Sequence, residues 1–226
     1  MTGPPAGARQ LPLDLGHRPA LGQDDFLVAA SNADAVGWID KWPLWGAHAL
    51  ALHGPPGCGK THLAHVWQAA SGACRVEAAG LRAGHVDGLA LAGAAVVVED
   101  ADQGGGVDEI ALLHLFNLLK EQDGTLLLTG RQPPARWKIE LPDLRSRLAA
   151  VPVVAIRSPD DALLQAVVVK IFHDRQLQVD PDVVTYLLPR MERSFEAARQ
   201  LVERIDRQAL AEQRRITIPL VKGMVD

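Results

Sequence analysis

The sequence predicts an α/β domain built on a parallel sheet, followed by a small all-helical domain. Three observations carry this expectation. Strand-like and helix-like stretches alternate from Ala47 to Ile156. The stretch Ala94-Ala95-Val96-Val97-Val98 is continuously apolar, with no alternation, as in a strand buried on both faces. From Ser158 onward almost every pattern is helical, beginning at Ser158-Pro159-Asp160-Asp161.

Met1 to Arg9 is Gly, Pro and Ala with one charge, a composition that predicts disorder. In Gln10-Leu11-Pro12-Leu13-Asp14-Leu15 leucines alternate with other residues and Pro12 blocks a helix. Such a segment either packs as a tail on its own domain or docks extended, alternate leucines facing a partner's groove. Asp25 to Ala30 reads as extended. Ser31 or Asn32 caps a helix to about Lys41, which Pro43 stops. Trp38, Trp42 and Trp45 near its end read as packing residues.

Ala47 to Leu52 reads as a short buried strand, and Thr61 to Ala70 as a helix free of Pro and Gly. Between them stands Gly54-Pro55-Pro56-Gly57-Cys58-Gly59-Lys60-Thr61, which fits the phosphate-loop pattern at every fixed position. Glycines let backbone N–H groups close around phosphate oxygens, and the helix N-terminus adds its positive dipole end. Lys60 is placed to reach the β/γ-phosphates and Thr61 to hold Mg²⁺, with His62 next along the helix.

Arg75 to Glu77 is a short strand candidate, and Leu81 to Gly93 is weakly patterned. The strand ending at Glu99-Asp100 puts two carboxylates where ligands bind in parallel sheets. They suit Mg²⁺ and a nucleophilic water, or form a solvated strand end. Gly104 to Gly106 reads as a loop, Asp108 to Gln122 as a well-buried helix, and Thr125 to Thr129 as a buried strand. Leu144 to Ala149 is a short helix carrying Arg145 and Arg147, and Val151 to Ile156 a last strand. Ser158 is read as the cap of a helix over Pro159–Gln176. Helices over Pro181–Arg190 and Ser194–Gln213 follow, with one from Pro219. Phe195, Ala198, Leu201, Val202, Ile205 and Ala209 make one apolar stripe. The domains are expected at 21–157 and 158–226, behind a tail at 1–20.

Composition limits the function. The 226 residues carry a net charge of -4 with pI about 6.1, without the basic surplus of a duplex-binding module. Cys58 and Cys74 form no disulfide framework and no metal pattern, which fits a reducing compartment. No signal peptide and no membrane span is read, so a cytoplasmic location is expected.

A phosphate-loop sheet with a small helical lid resembles the AAA+ plan, and further stretches resemble the DnaA family of replication initiators. Val96 to Asp100 looks like the family's Walker B motif, and Leu128 to Pro134 like its sensor 1 strand, with Thr129 in the sensor position. Leu141-Pro142-Asp143-Leu144-Arg145-Ser146-Arg147-Leu148 looks like its box VII. Arg193 to Arg199 occupies its sensor 2 region. The likeness runs from about Leu11 to the end. No helix-turn-helix stretch follows the lid, so the nearer resemblance is to the truncated Hda branch. Gln10, Leu11, Leu13 and Leu15 resemble that branch's sliding-clamp-binding peptide.

The resemblance implies a regulator that holds ADP (or ATP) with Mg²⁺, is recruited by the DNA polymerase III sliding clamp (β subunit), and promotes ATP hydrolysis by DnaA. It assigns Arg147 as an arginine finger acting in trans, with Arg145 as runner-up. Arg199 becomes sensor 2 on the lid, the alternative being an exposed helix arginine. Phe26, Leu27 and Val28 align with the segment lining the adenine pocket. Neither membrane contact nor sequence-specific DNA binding is expected, and a homodimer burying the tails stays open.

The Walker B order departs from the usual one. Glu99 stands where Asp is typical for the metal, and Asp100 where a Glu-type base is typical. A displacement on the order of 1 Å costs ~10²-fold, so weak intrinsic hydrolysis is expected. Two readings compete: a helicase-loader-like ATPase acting on single-stranded DNA, and a nucleotide-gated clamp adaptor without effect on hydrolysis.

Overall fold

In the computed structural model, residues 27–92, 94–102 and 107–225 are described. Gln10, Leu11, Leu13, Leu15, Phe26 and the Gly104–Gly106 stretch lie outside them.

Five strands form one parallel sheet: β1 Ala49–His53, β2 Cys74–Glu77, β3 Ala95–Glu99, β4 Thr125–Gly130 and β5 Val153–Ala155. Their spatial order is β2-β3-β4-β1-β5. β4 therefore sits between β1 and β3, so the chain leaves neighbouring strands in different directions and opens a crevice at their C-terminal ends. The phosphate-loop stretch and Glu99 both emerge there.

Alternate side chains explain why the central strands read as unbroken apolar runs: each face has its own helical cover. Ala51, Val96, Val98, Leu126 and Leu128 bury one face under α3 (Ala83–Ala92), α4 (Glu109–Glu121) and α5 (Pro142–Ala149). Leu50, Leu52, Val97 and Leu127 bury the other under α1 (Ala33–Asp40) and α2 (Lys60–Ser71). The tryptophans pack as expected. Trp45 stacks on buried Trp67 at 5.3 Å, and Trp42 meets its edge at 6.1 Å. The polar edges are bonded too, Trp42 Nε1 donating to Thr125 Oγ1 and Trp45 Nε1 to the Trp38 carbonyl.

The helical lid has a core of its own. α6 (Asp161–Asp174), α7 (Pro181–Leu187), α8 (Phe195–Glu212) and α9 (Ile218–Val225) enclose Leu164, Phe172, Val184, Leu187, Val202, Ile205 and Val221. The apolar stripe on α8 is buried at Ala198, Leu201, Val202, Ile205 and Ala209. Phe195 leaves it and faces the phosphate loop.

Three local expectations change. The weakly patterned Leu81–Gly93 stretch contains α3; its small residues and Gly84 and Gly88 give no helical stripe, and packing against α4 and the sheet holds it. α6 is capped by Asp160, whose carboxylate accepts from the Leu163 N–H, rather than by Ser158. The Ile156 and Arg157 N–H groups are tied to His53 and Ser31 carbonyls, which keeps this linker extended and delays the helix. Asn32 precedes α1 without capping it; its side chain accepts from the Ala29 N–H and donates to the Leu27 carbonyl. Among the described residues, no helix is long and apolar enough to cross a membrane.

Candidate functional site

The loop from Gly54 to Gly59 leaves β1 and turns into α2. Gly54 is wedged between strands: its N–H donates to the Gly130 carbonyl, and an added Cβ would lie 2.1 Å from the Ile156 carbonyl oxygen. Gly57 has φ +69°, and a Cβ there would fall 2.5 Å from the Ser194 Cβ of the lid. The lid meets the loop directly, since the Phe195 N–H donates to the Gly57 carbonyl. Gly54→Ala should destabilise the protein by about 1–3 kcal/mol, because the backbone oxygen it meets cannot step aside as a flexible side chain would. Urea unfolding measures this, and an unchanged midpoint would contradict the packing described.

Lys60 opens α2 almost fully buried, at 8% exposure. Its Nζ donates to the Gly54 and Pro55 carbonyls at 2.8 and 3.0 Å and lies 3.9 Å from Cys58 Sγ. Burial pushes the Cys58 thiol up, outweighing the nearby Lys60 charge that pulls it down, so the sulfur stays protonated at neutral pH. His53, at the end of β1, is held below its ordinary pKa by burial, then by Arg136 and Lys60.

Next along α2, the Thr61 hydroxyl donates to Glu99 Oε2 at 2.9 Å across the end of β4. Glu99 is 3% exposed. Its Oε1 has no hydrogen-bond donor, but Arg75 Nε of β2 lies 2.8 Å away as an ionic contact outside hydrogen-bond alignment. Asp100 follows in the left-handed region at φ 55°, its N–H donating to Thr129 Oγ1. Thr129 is buried at 1% and bonds this strand end rather than lining the cleft.

Two cavities meet at His62 and Arg199. The first, about 510 Å³, is lined by Pro56, Gly57, Gly59, Lys60, Thr61 and His62, with His65, Asp100, Arg131, Glu196 and Arg199. Lys60, Arg131 and Arg199 give it a cationic side suited to a polyphosphate. The second, about 250 Å³, has Leu27, Leu163, Val167, Ile171 and Phe195 as apolar walls, and shares His62 and Arg199 with the first. Together they offer a charged compartment beside a mixed one, whose apolar walls stand next to Asn32, Lys170, Asp174 and Arg175.

Of the residues expected at the site, the loop, Thr61, His62, Asp100, Arg199 and Leu27 come together here. Val28 packs instead against the α1–α2 core. Arg147 lies on α5 and lines neither cavity; its Nε donates to Asn117 Oδ1 of α4 at 2.8 Å. Arg145 is exposed, with a 3.4 Å bond to the Ile139 carbonyl. Sequence reasoning missed Arg131, whose backbone N–H is held by Asp102 Oδ2 at 2.6 Å, although it directly follows the strand containing Thr129. It also missed Arg75, Glu196 and the α6 wall, which no local pattern marks.

The residues suit a nucleoside diphosphate. A helix N-terminus behind a glycine-rich turn, with cations lining the same cavity, is what phosphate oxygens need. The Thr61 hydroxyl and Glu99 carboxylate are oxygen donors of the type Mg²⁺ takes, and Mg²⁺ there would supply charge neutralisation at those oxygens.

Comparison with known proteins separates fold from family. Residues 161–225 match the family model described as Hda, lid domain. Domain III of the Thermotoga maritima replication initiation protein DnaA superposes with a TM-score of 0.74 at 16% identity, covering 89% of this chain and 95% of that one. AMPPCP-bound DnaA from Aquifex aeolicus gives 0.67 at 17% identity, covering 80% of this chain and 63% of that one. A RuvB from Thermotoga maritima gives 0.70 at 15% identity, covering 92% and 72%. The chain thus spans 63% of the length of the Aquifex DnaA chain. Identities this low establish the AAA+ fold alone, and RuvB fits it nearly as well as DnaA does. The lid sequence is what distinguishes them. With the sequence signature of the Hda lid over residues 161–225 and the fold of DnaA domain III, the chain is Hda-like in its lid and AAA+ in its fold.

Proposed function

We propose that this chain inactivates DnaA: held on the DNA-loaded sliding clamp and carrying ADP, it promotes hydrolysis of ATP bound to DnaA and so prevents re-initiation of replication. The observation that carries the reading is the Hda lid match over residues 161–225. The cleft between loop and lid supports it, because Lys60, Arg131 and Arg199 surround a space fit for a diphosphate.

In this reading the tail at 1–20 brings the clamp peptide, Gln10 to Leu15. The domain at 21–157 and the lid at 158–226 hold the nucleotide between them. The adenine lies beside Leu27, with Phe26 and Val28 in the same segment. Lys60 and the loop amides bind the diphosphate, and Arg199 ties its state to the lid. Thr61 and Glu99 take Mg²⁺ when it is present. Thr129 acts as sensor 1 by orienting Asp100. Intrinsic hydrolysis stays weak because Glu99 and Asp100 are exchanged relative to the usual order. Arg147 acts on the neighbour, offsetting charge that builds on the leaving oxygen as DnaA's ATP becomes ADP and phosphate. The work takes place in the cytoplasm.

The test is to load DnaA with ATP, add clamp on nicked DNA, and follow conversion to ADP. Hydrolysis should accelerate only when this chain is present with its Gln10–Leu15 segment intact. A rate unchanged by the chain overturns the proposal.

A further inference from the structure

The acidic end of β3 carries its own counter-charge. Glu99 is buried, and an ionised carboxylate taken out of water needs a compensating cation. The chain supplies one from the neighbouring strand. β2 and β3 run in register, Arg75 opposite Val97 and Glu77 opposite Glu99. Arg75 therefore reaches Glu99 diagonally, on the face that also carries α2.

The guanidinium is held on several sides. Nε lies 2.8 Å from Glu99 Oε1, Nη2 donates to Glu77 Oε1 at 3.0 Å, and Nη1 lies 2.8 Å from His65 Nε2. His65 stands one turn beyond Thr61 on α2 and lines the same cavity. Glu99 Oε2, meanwhile, accepts from Thr61. The carboxylate thus has a cation at one oxygen and a hydroxyl at the other. Arg75 already offsets charge at Glu99, so a divalent ion at Thr61 and Glu99 adds less neutralisation there than it would beside a bare carboxylate.

We infer that Arg75 is a built-in substitute for part of the metal's charge, so that the cleft binds a nucleoside diphosphate with an affinity that hardly depends on Mg²⁺. The inference rests on the nucleotide site proposed above and adds how that site is made independent of the metal.

Titration of the full-length protein with ADP, in Mg²⁺ buffer and in EDTA, tests it by calorimetry. The wild-type affinities should agree within about threefold. In Arg75→Gln, Glu99 is left uncompensated beside the phosphates, and removing Mg²⁺ should weaken ADP by at least about tenfold. Arg75→Lys keeps the charge and should stay close to wild type. Thermal unfolding checks that each variant is folded; if Arg75→Gln is not, the wild type and Arg75→Lys still decide. Wild-type binding that falls tenfold or more in EDTA overturns this inference and leaves the nucleotide site standing. No ADP binding in either buffer overturns both.

Discussion

Replacing Arg147 by Ala should lower stimulation of DnaA-bound ATP hydrolysis by on the order of 10³-fold while leaving the fold and clamp recruitment intact. The expectation rests on placement. Arg147 lies in the last turn of α5, half-buried, and lines neither cavity, so it is poorly placed to serve the chain's own nucleotide. Its guanidinium is held by Nε donating to Asn117 Oδ1 and by a 3.3 Å bond from Nη1 to the Asp143 carbonyl. A guanidinium anchored through Nε is pre-organised, and little conformational entropy is lost when it meets an anion. Arg147→Lys keeps the charge but not the planar fork, and should recover only part of the effect. Arg145→Ala should cost far less. Single-turnover hydrolysis by ATP-loaded DnaA on clamp-bearing DNA is the measurement, with clamp capture as the control. Full stimulation by Arg147→Ala would overturn the finger assignment.

Lys60→Ala should weaken ADP binding by on the order of 10²-fold, the loss expected when a charge-assisted phosphate contact disappears. The same change strips a buried donor from the Gly54 and Pro55 carbonyls, which should destabilise the chain by about 1–3 kcal/mol. The two effects separate. Calorimetry reports affinity and urea unfolding without nucleotide reports stability. If binding is lost with stability unchanged, the lysine's bonds to the loop carbonyls are incidental to the fold. If stability falls with affinity intact, Lys60 braces the loop and does not hold the ligand.

The phosphate loop was legible because its chemistry is local. Gly54, Gly57, Gly59, Lys60 and Thr61 are consecutive or nearly so, and β1 and α2 follow from apolar run and helix pattern on either side. The β3 end at Glu99 was legible for the same reason: five buried residues leave no alternation to misread. The cap of α6 was not. Ser158-Pro159-Asp160-Asp161 holds three competent capping residues, and the bonds of Ile156 and Arg157 to distant carbonyls choose among them. α3 was missed because Gly84, Gly88 and its small side chains give no stripe; its partner surface on α4 exists only after folding.

The sequence by itself determined which chemistry this protein carries: a loop that can wrap phosphate, an acidic strand end, and two arginines, Arg147 and Arg199, set in helices. The tertiary structure decided which of these act together. It brought Leu27 to face Leu163 and Ile171 on the lid, and seated Phe195 on Gly57. It also laid β2 beside β3, so that Arg75 meets Glu99. Motifs read along the chain report bonded neighbours. Charge balance in a buried site depends on groups brought close by strand order and lid packing, and no spacing in the sequence encodes that proximity.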